Sequence, residues 1–159
     1  MFRPLRSNEI ECRVQSVKAN GFVMLLYKDA RCDMSILDET VGPLNWMRSH
    51  SRENANCTVS IFNKEIGQWI GKEDTGTKSN TEAEKGMASD SFKRACFNWG
   101  IGRELYTAPF VWINQMQYVK NGKVYEKFSV AHLAVENGEI TQLAIADSRG
   151  TVIYKYNCQ

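Results

Sequence analysis

Between residues 85 and 103 the chain carries Lys85, Lys93, Arg94 and Arg103 against Asp90 alone, whereas residues 53–84 carry three lysines against six acids. Lys93 and Arg94 are adjacent, with Gly86 upstream and Phe97 three residues downstream. Lysine and arginine neutralise phosphates and release counterions. A residue without a side chain lets a ligand backbone approach, and an exposed ring stacks a base whatever its identity. That set of residue types suits a nucleic-acid strand. It also has a purely structural account. Asp90 and Arg94, four apart, form an ion pair on a solvated helical face, and Phe97 packs under a neighbouring loop or subunit.

Either account needs a helix to gather these residues. The pattern predicts one over 79–99, entered through a Ser79/Glu82 capping box and ended by Gly100 and Gly102. At about 100° per residue, Ala88, Phe92, Ala95, Cys96 and Trp99 form an apolar stripe that faces a sheet, and Gly86, Asp90, Lys93, Arg94 and Phe97 gather opposite. Lys85 projects near the edge of the stripe, where a lysine snorkels from the helix start.

The remaining chain supplies the support for this helix. Ile10, Val14 and Val17, behind Ser7 or Asn8, are spaced for a short helix over 7–17. Residues 22–27 form a continuous apolar run that reads as a buried strand, and 30–41 as a second helix stopped by Gly42-Pro43. Segments 45–48, 57–62 and 68–71, separated by turn formers, predict a three-stranded antiparallel meander. Turns at Asn121-Gly122 and Asn137-Gly138 separate further strands over 128–135, 140–146 and 151–156. The fold class expected is α+β: an antiparallel sheet in a β-β-β-α-like core, one long helix packed on it, and a β-rich C-terminal part. Length suits a single domain over 1–159, with 109–159 as its β-rich extension.

Totals narrow the chemistry. A net charge of +2 is too small for a surface built throughout for polyanions, so any such site is local. Cys12, Cys32, Cys57, Cys96 and Cys158 are scattered without a C-x-x-C pair, and neither His50 nor His132 lies close to one of them in sequence. Neither a disulfide framework nor a structural metal site is indicated, and a reducing cytosol fits. The first residues lack the apolar segment of a signal peptide and no run has membrane-spanning length, so a soluble protein without a membrane partner is expected. Gly71-x4-Gly76-Thr77-Lys78-Ser79 approaches a nucleotide-binding loop, but Thr77 separates the glycine and lysine that must be adjacent.

The run Glu84-Lys85-Gly86-Met87-Ala88-Ser89-Asp90-Ser91-Phe92-Lys93-Arg94-Ala95-Cys96-Phe97-Asn98-Trp99-Gly100 strongly resembles the helix motif of the Rad fifty-two (Rad twenty-two) family of single-strand annealing proteins, in its short bacterial and phage form. Leu5 to Gln15 resembles the family's N-terminal element, and Tyr27 to Trp46 its strand, helix and following tryptophan. The likeness runs in order through about two-thirds of the chain and loosens from Pro109 onward.

The resemblance implies a groove in which Lys93 and Arg94 hold a single-strand backbone and Arg13 of the N-terminal element reaches the same groove. Eukaryotic members place a further arginine where this chain has Phe97. Arg31 matches a basic position of the motif and equally suits a surface residue beside Asp29 and Asp33, and Arg103 completes the basic set. The function implied is binding of single-stranded DNA and ATP-independent annealing in homologous recombination and double-strand break repair, without enzymatic activity or cofactor. The partners implied are single-stranded DNA and further copies of the chain in a ring or helical filament. A single-strand-binding protein or a recombinase is the further candidate, in the cytoplasm of a bacterium or phage host. Two other classes are carried alongside: a metal-dependent recombination nuclease using Glu65, Glu73, Asp74 and Glu82, and a duplex-RNA-binding module.

Overall fold

Alternating apolar and polar residues, broken by glycine and asparagine turns, yield an α+β chain of mostly antiparallel strands with two helices. It is described from a computed structural model covering residues 1–77 and 83–158. In chain order the elements are β1 (Glu11–Lys18), β2 (Gly21–Tyr27), α1 (Ala30–Val41), β3 (Trp46–Ser51), β4 (Asn56–Asn63), β5 (Gln68–Thr75), α2 (Ala83–Asn98), β6 (Val111–Ile113), β7 (Val119–Lys120), β8 (Lys123–Val124), β9 (Ser129–Glu136), β10 (Glu139–Ala146) and β11 (Val152–Asn157). They cluster into two compact units, one of Met1–Arg3 and Asp29–Arg103 and the other of Pro4–Lys28 and Glu104–Gln159.

The first unit is built on the antiparallel sheet β3-β4-β5. Cys57, Val59 and Ile61 alternate along β4 and are buried on one face, as the two-residue period of a strand requires. Phe92, Ala95 and Cys96 of α2 are buried as well, so the apolar stripe read from the sequence is the packed side of this helix. Phe92 is 0% exposed. The Trp46 ring stacks on it at 6.1 Å, and the Arg48 guanidinium lies 4.6 Å from its centroid. Trp46 Nε1 in turn donates to Asp38 on α1 at 2.7 Å. The helix α1 starts where Asp29 accepts the Arg31 backbone N–H and stops at Gly42, whose φ of 90° favours glycine. The Ser79/Glu82 capping box lies outside the described residues.

After β5 the chain crosses close to α2. A Cβ on Gly76 would meet the backbone of that helix, Ser91 N at 2.6 Å and Ser91 Cα at 3.0 Å. Neither the helix nor the strand end, held by Gly76 N–H to Ala55 O at 2.7 Å, has room to give way. Gly76→Ala is therefore expected to cost about 1–3 kcal/mol, the usual range for overpacking. Thermal unfolding followed by circular dichroism checks this, and an unchanged melting temperature would refute it.

The second unit carries a six-stranded sheet in the order β11-β10-β9-β1-β2-β6. Its core side includes Phe22, Met24, Val111, Ile113, Leu143 and Ile145, with the Phe22 ring 5.8 Å from Phe128. The β7-β8 and β9-β10 turns have positive φ at Asn121-Gly122 and Asn137-Gly138, the requirement of a two-residue hairpin turn. Glu11↔Ser129 is the pair that joins β1 to β9.

The helix expected over 7–17 is not formed. Ser7–Glu9 is a short 3-10 turn and Glu11–Lys18 is a strand. The cause is a bulge between Val14 and Ser16. It adds one residue, so Val14 opposite Met24 and Val17 opposite Phe22 share a face although three apart. A bulged strand thus carries helical spacing. Pairing with β2 decides between the two, and β-branched Val14 and Val17 favour the strand.

Candidate functional site

On α2, Lys93, Arg94 and Phe97 are all half-buried, away from the fully buried Phe92, Ala95 and Cys96. The ion pair anticipated on the helical face is present: Arg94 Nε lies 3.0 Å from Asp90 Oδ2, with side chains 39% and 29% exposed. The Thr77 N–H donates to the same oxygen at 2.8 Å. Burial alone would raise the Asp90 carboxyl, but the Thr77 N–H and the neighbouring Arg94 and Lys93 outweigh it and hold the group below the usual carboxylate range. Asp90 is thus a fixed anion that orients the Arg94 fork.

Lys93 also acts on Asp29, whose carboxyl is held low by hydrogen bonds from Arg31 and, more weakly, by the charges of Arg31 and Lys93. Arg31, 84% exposed, lies 3.0 Å from Asp29 Oδ1. Lys93 thus acts on two carboxylates, Asp29 at the N-terminus of α1 beside Arg31 and Asp90 on α2 beside Arg94. The two carboxylates hold Arg31 and Arg94 in set orientations. Such a surface positions phosphates by geometry and charge, with no covalent step.

Arg103 is placed differently from the other basic residues. It is exposed, but its Nε and Nη2 donate to Phe97 O at 3.0 Å and Asn98 O at 2.9 Å. Its charge closes the C-terminus of α2, where the helix dipole favours a cation. Lys72 of β5 donates to Asn98 O at 3.2 Å and lies 4.8 Å from the Trp99 ring, so two cations meet this helix end. The sequence reading missed Lys72 and Arg48. Both lie on the β-strand face that carries Val59, which the period-two pattern of β3 and β5 could have shown. The Lys85 side chain lies outside the described residues.

Arg13 belongs to the second unit. It is exposed on β1, and its guanidinium lies 5.5 Å from the centroid of the Tyr27 ring on β2. With Tyr27, Glu11, Glu126, Lys127 and Phe128 it lines an open groove of about 910 Å³. Cations and acids are balanced among these residues.

The carboxylates considered for a nuclease do not converge where they are described. Glu73 and Asp74 are neighbours on β5 and project to opposite faces. Glu73 accepts from Asn56 at 2.6 Å and Asp74 from Asn98 at 3.2 Å. Glu65 sits in the β4-β5 turn, and Glu82 lies outside the described residues. Among the described residues no three acidic, histidine or cysteine side chains come together to hold a metal ion, and no described helix is long and apolar enough to cross a membrane.

Comparison with known proteins places α2 inside a family pattern. A family model described as Rad52/22 family double-strand break repair protein matches residues 33–124, more than half of the chain. Lys85, Lys93, Arg94, Phe97 and Arg103 fall within that stretch, whereas Arg13 and Arg31 precede it. No curated protein and no solved structure matches the chain.

Proposed function

The chain belongs to the Rad52/22 family of double-strand break repair proteins, and on that premise we propose that it binds single-stranded DNA and anneals complementary strands without nucleotide hydrolysis. The family assigns it to DNA recombination and repair, with DNA binding, annealing and self-association as the general properties of its members. The finer reading rests on one observation: the adjacent Lys93 and Arg94 sit on the half-exposed side of α2, inside the matched stretch, with Arg94 already oriented by Asp90.

The chemistry follows from that arrangement. Arg94 offers a planar fork that engages two phosphate oxygens at once, and Lys93 adds a compact point charge beside it. Arg31 is the third cation for the same stretch of backbone. Contacts of this kind hold a strand by its phosphates and leave base edges open, so that base pairing with a second strand does the selecting. Arg13 is a separate phosphate contact on the second unit. Phe97 is the base-stacking ring on α2, in place of the further arginine of eukaryotic relatives. Copies of the chain assemble into a ring or helical filament. Among the described residues β3 and β5 are the outer strands of the first sheet, each paired with β4, and outer strands of this kind support that assembly.

Annealing of complementary labelled oligonucleotides tests the reading. Duplex formation faster than in protein-free mixtures, equal with and without ATP, is the expected result. The rate should fall as salt rises, because counterions released by phosphate contacts are recaptured. No acceleration, or dependence on ATP, would refute it. Shortened strands in magnesium would point to the nuclease, and preference for duplex RNA over single-stranded DNA to the RNA-binding module.

A further inference from the structure

The outer face of β1, β2 and β6 in the second unit carries a second set of parts for a nucleic-acid strand. Residues directly opposite share a face, and the register places Glu11, Arg13, Ser16 and Lys18 of β1 beside Tyr27, Leu25, Val23 and Gly21 of β2. On the other side of β2, Trp112 of the edge strand β6 is opposite Val23. Trp112 is 36% exposed although its neighbours Val111 and Ile113 are buried.

Its indole is seated on Gly21. A Cβ at that position would lie 2.7 Å from Trp112 Cζ2 and 2.9 Å from Cε2, and would also collide with Ile113 O. Glycine thus makes the seat, and the ring covers the strand while part of it faces water. Packing on glycine accounts for the covered side of the ring. It does not account for Lys18, exposed and in register with Gly21 at the same end of the sheet.

Gly21 and Tyr27 are six residues apart on one strand, roughly 20 Å at the usual rise. One end of this strip offers an exposed ring with a lysine, the other an arginine over a tyrosine. Two cations stand against Glu11 along it. A protein partner would need a broad apolar centre, but Val23 is buried and the large exposed apolar group on this face is the Trp112 ring. Ring and cation side by side match a base and its phosphate.

We propose that the outer face of β1, β2 and β6 is a base-stacking platform for single-stranded DNA, with Trp112 as the stacking ring, Gly21 as its seat and Lys18 as the contact for the adjoining phosphate. This rests on the single-strand reading above and extends it to residues outside α2.

Fluorescence anisotropy of a labelled oligothymidine with the full chain tests it, comparing wild type, W112A, W112L, W112F and K18A. Leucine keeps the cover over Gly21 without a ring to stack, and phenylalanine keeps a ring. W112A and W112L are expected to bind about 5- to 100-fold more weakly, the range for loss of one stacked base, while W112F stays near wild type. K18A should lower the salt slope by about 0.7, one single-strand phosphate contact. Abasic positions in the oligonucleotide should weaken wild type more than W112L, which keeps Phe97 as a stacking ring.

Wild-type affinity in both W112L and K18A would overturn the platform. So would a W112L variant that changes mass in solution but not affinity, which would assign the face to protein contact. If wild type itself fails to bind oligothymidine, the single-strand reading falls. That outcome is distinct from one in which wild type binds and the variants match it.

Discussion

Replacing Lys93 and Arg94 together by alanine is expected to reduce annealing of complementary oligonucleotides to the protein-free rate while secondary structure and oligomeric mass stay unchanged. Both side chains are half-buried on α2, and neither belongs to the buried stripe of Phe92, Ala95 and Cys96. Two single-strand phosphate contacts are removed, so the slope of log affinity against log salt should shrink by roughly 1.4, at about 0.7 per contact. Asp90 adds to the loss. It keeps the Thr77 N–H but loses its cation at 3.0 Å, leaving a carboxylate where the phosphate would sit. Arg94→Lys should retain part of the rate, because charge is preserved and the two-oxygen fork is not. The measurement is fluorescence-quenching annealing across a salt series. Annealing at the wild-type rate in the double variant would remove the assignment of this surface.

The second large effect concerns stability. Phe92→Ala should destabilise the first unit by about 3–5 kcal/mol, the range for a truncated buried aromatic. Phe92 is 0% exposed, stacks on the Trp46 ring at 6.1 Å and has the Arg48 guanidinium 4.6 Å from its centroid. Removing it opens a void between α2 and the sheet and leaves the Arg48 charge without the ring it lies over. Denaturant unfolding followed by tryptophan emission reads both, since Trp46 is the ring that loses its stacking partner. A change below about 1 kcal/mol would mean that the site collapses around the smaller side chain, and that α2 is not held by this residue.

Much of this was legible in local spacing. The helix over 30–41, the strands around 57–62 and 68–71, and the turns at Asn121-Gly122 and Asn137-Gly138 all stand where residue types place them. The apolar stripe of α2 was readable because Phe92, Ala95 and Cys96 repeat at three and four positions on a continuous helix. β1 was not, because the bulge after Val14 gives a strand the spacing of a helix, and a bulge is a property of the pair β1-β2. Arg103 reads as one more cation of a basic run until the chain turns back and its guanidinium meets the last carbonyls of α2. Tertiary approach decides such roles, and composition carries no trace of it. The same holds for Trp112, whose meaning depends on Gly21 across a sheet.

The second unit is made of two stretches, Pro4–Lys28 and Glu104–Gln159, with the first unit between them in the chain. Its sheet neighbours β2 with β6 and β1 with β9, so each of these pairings awaits a strand encoded far downstream. During synthesis the hairpin β1-β2 therefore leaves the ribosome with the apolar side of Phe22 and Met24 uncovered. At 5–20 residues per second the strand that covers it follows on the order of ten seconds later. The main stretch of the first unit, Asp29–Arg103, is contiguous and emerges in that interval. The order of emergence thus leaves the hairpin with an apolar side that waits for strands still to be made.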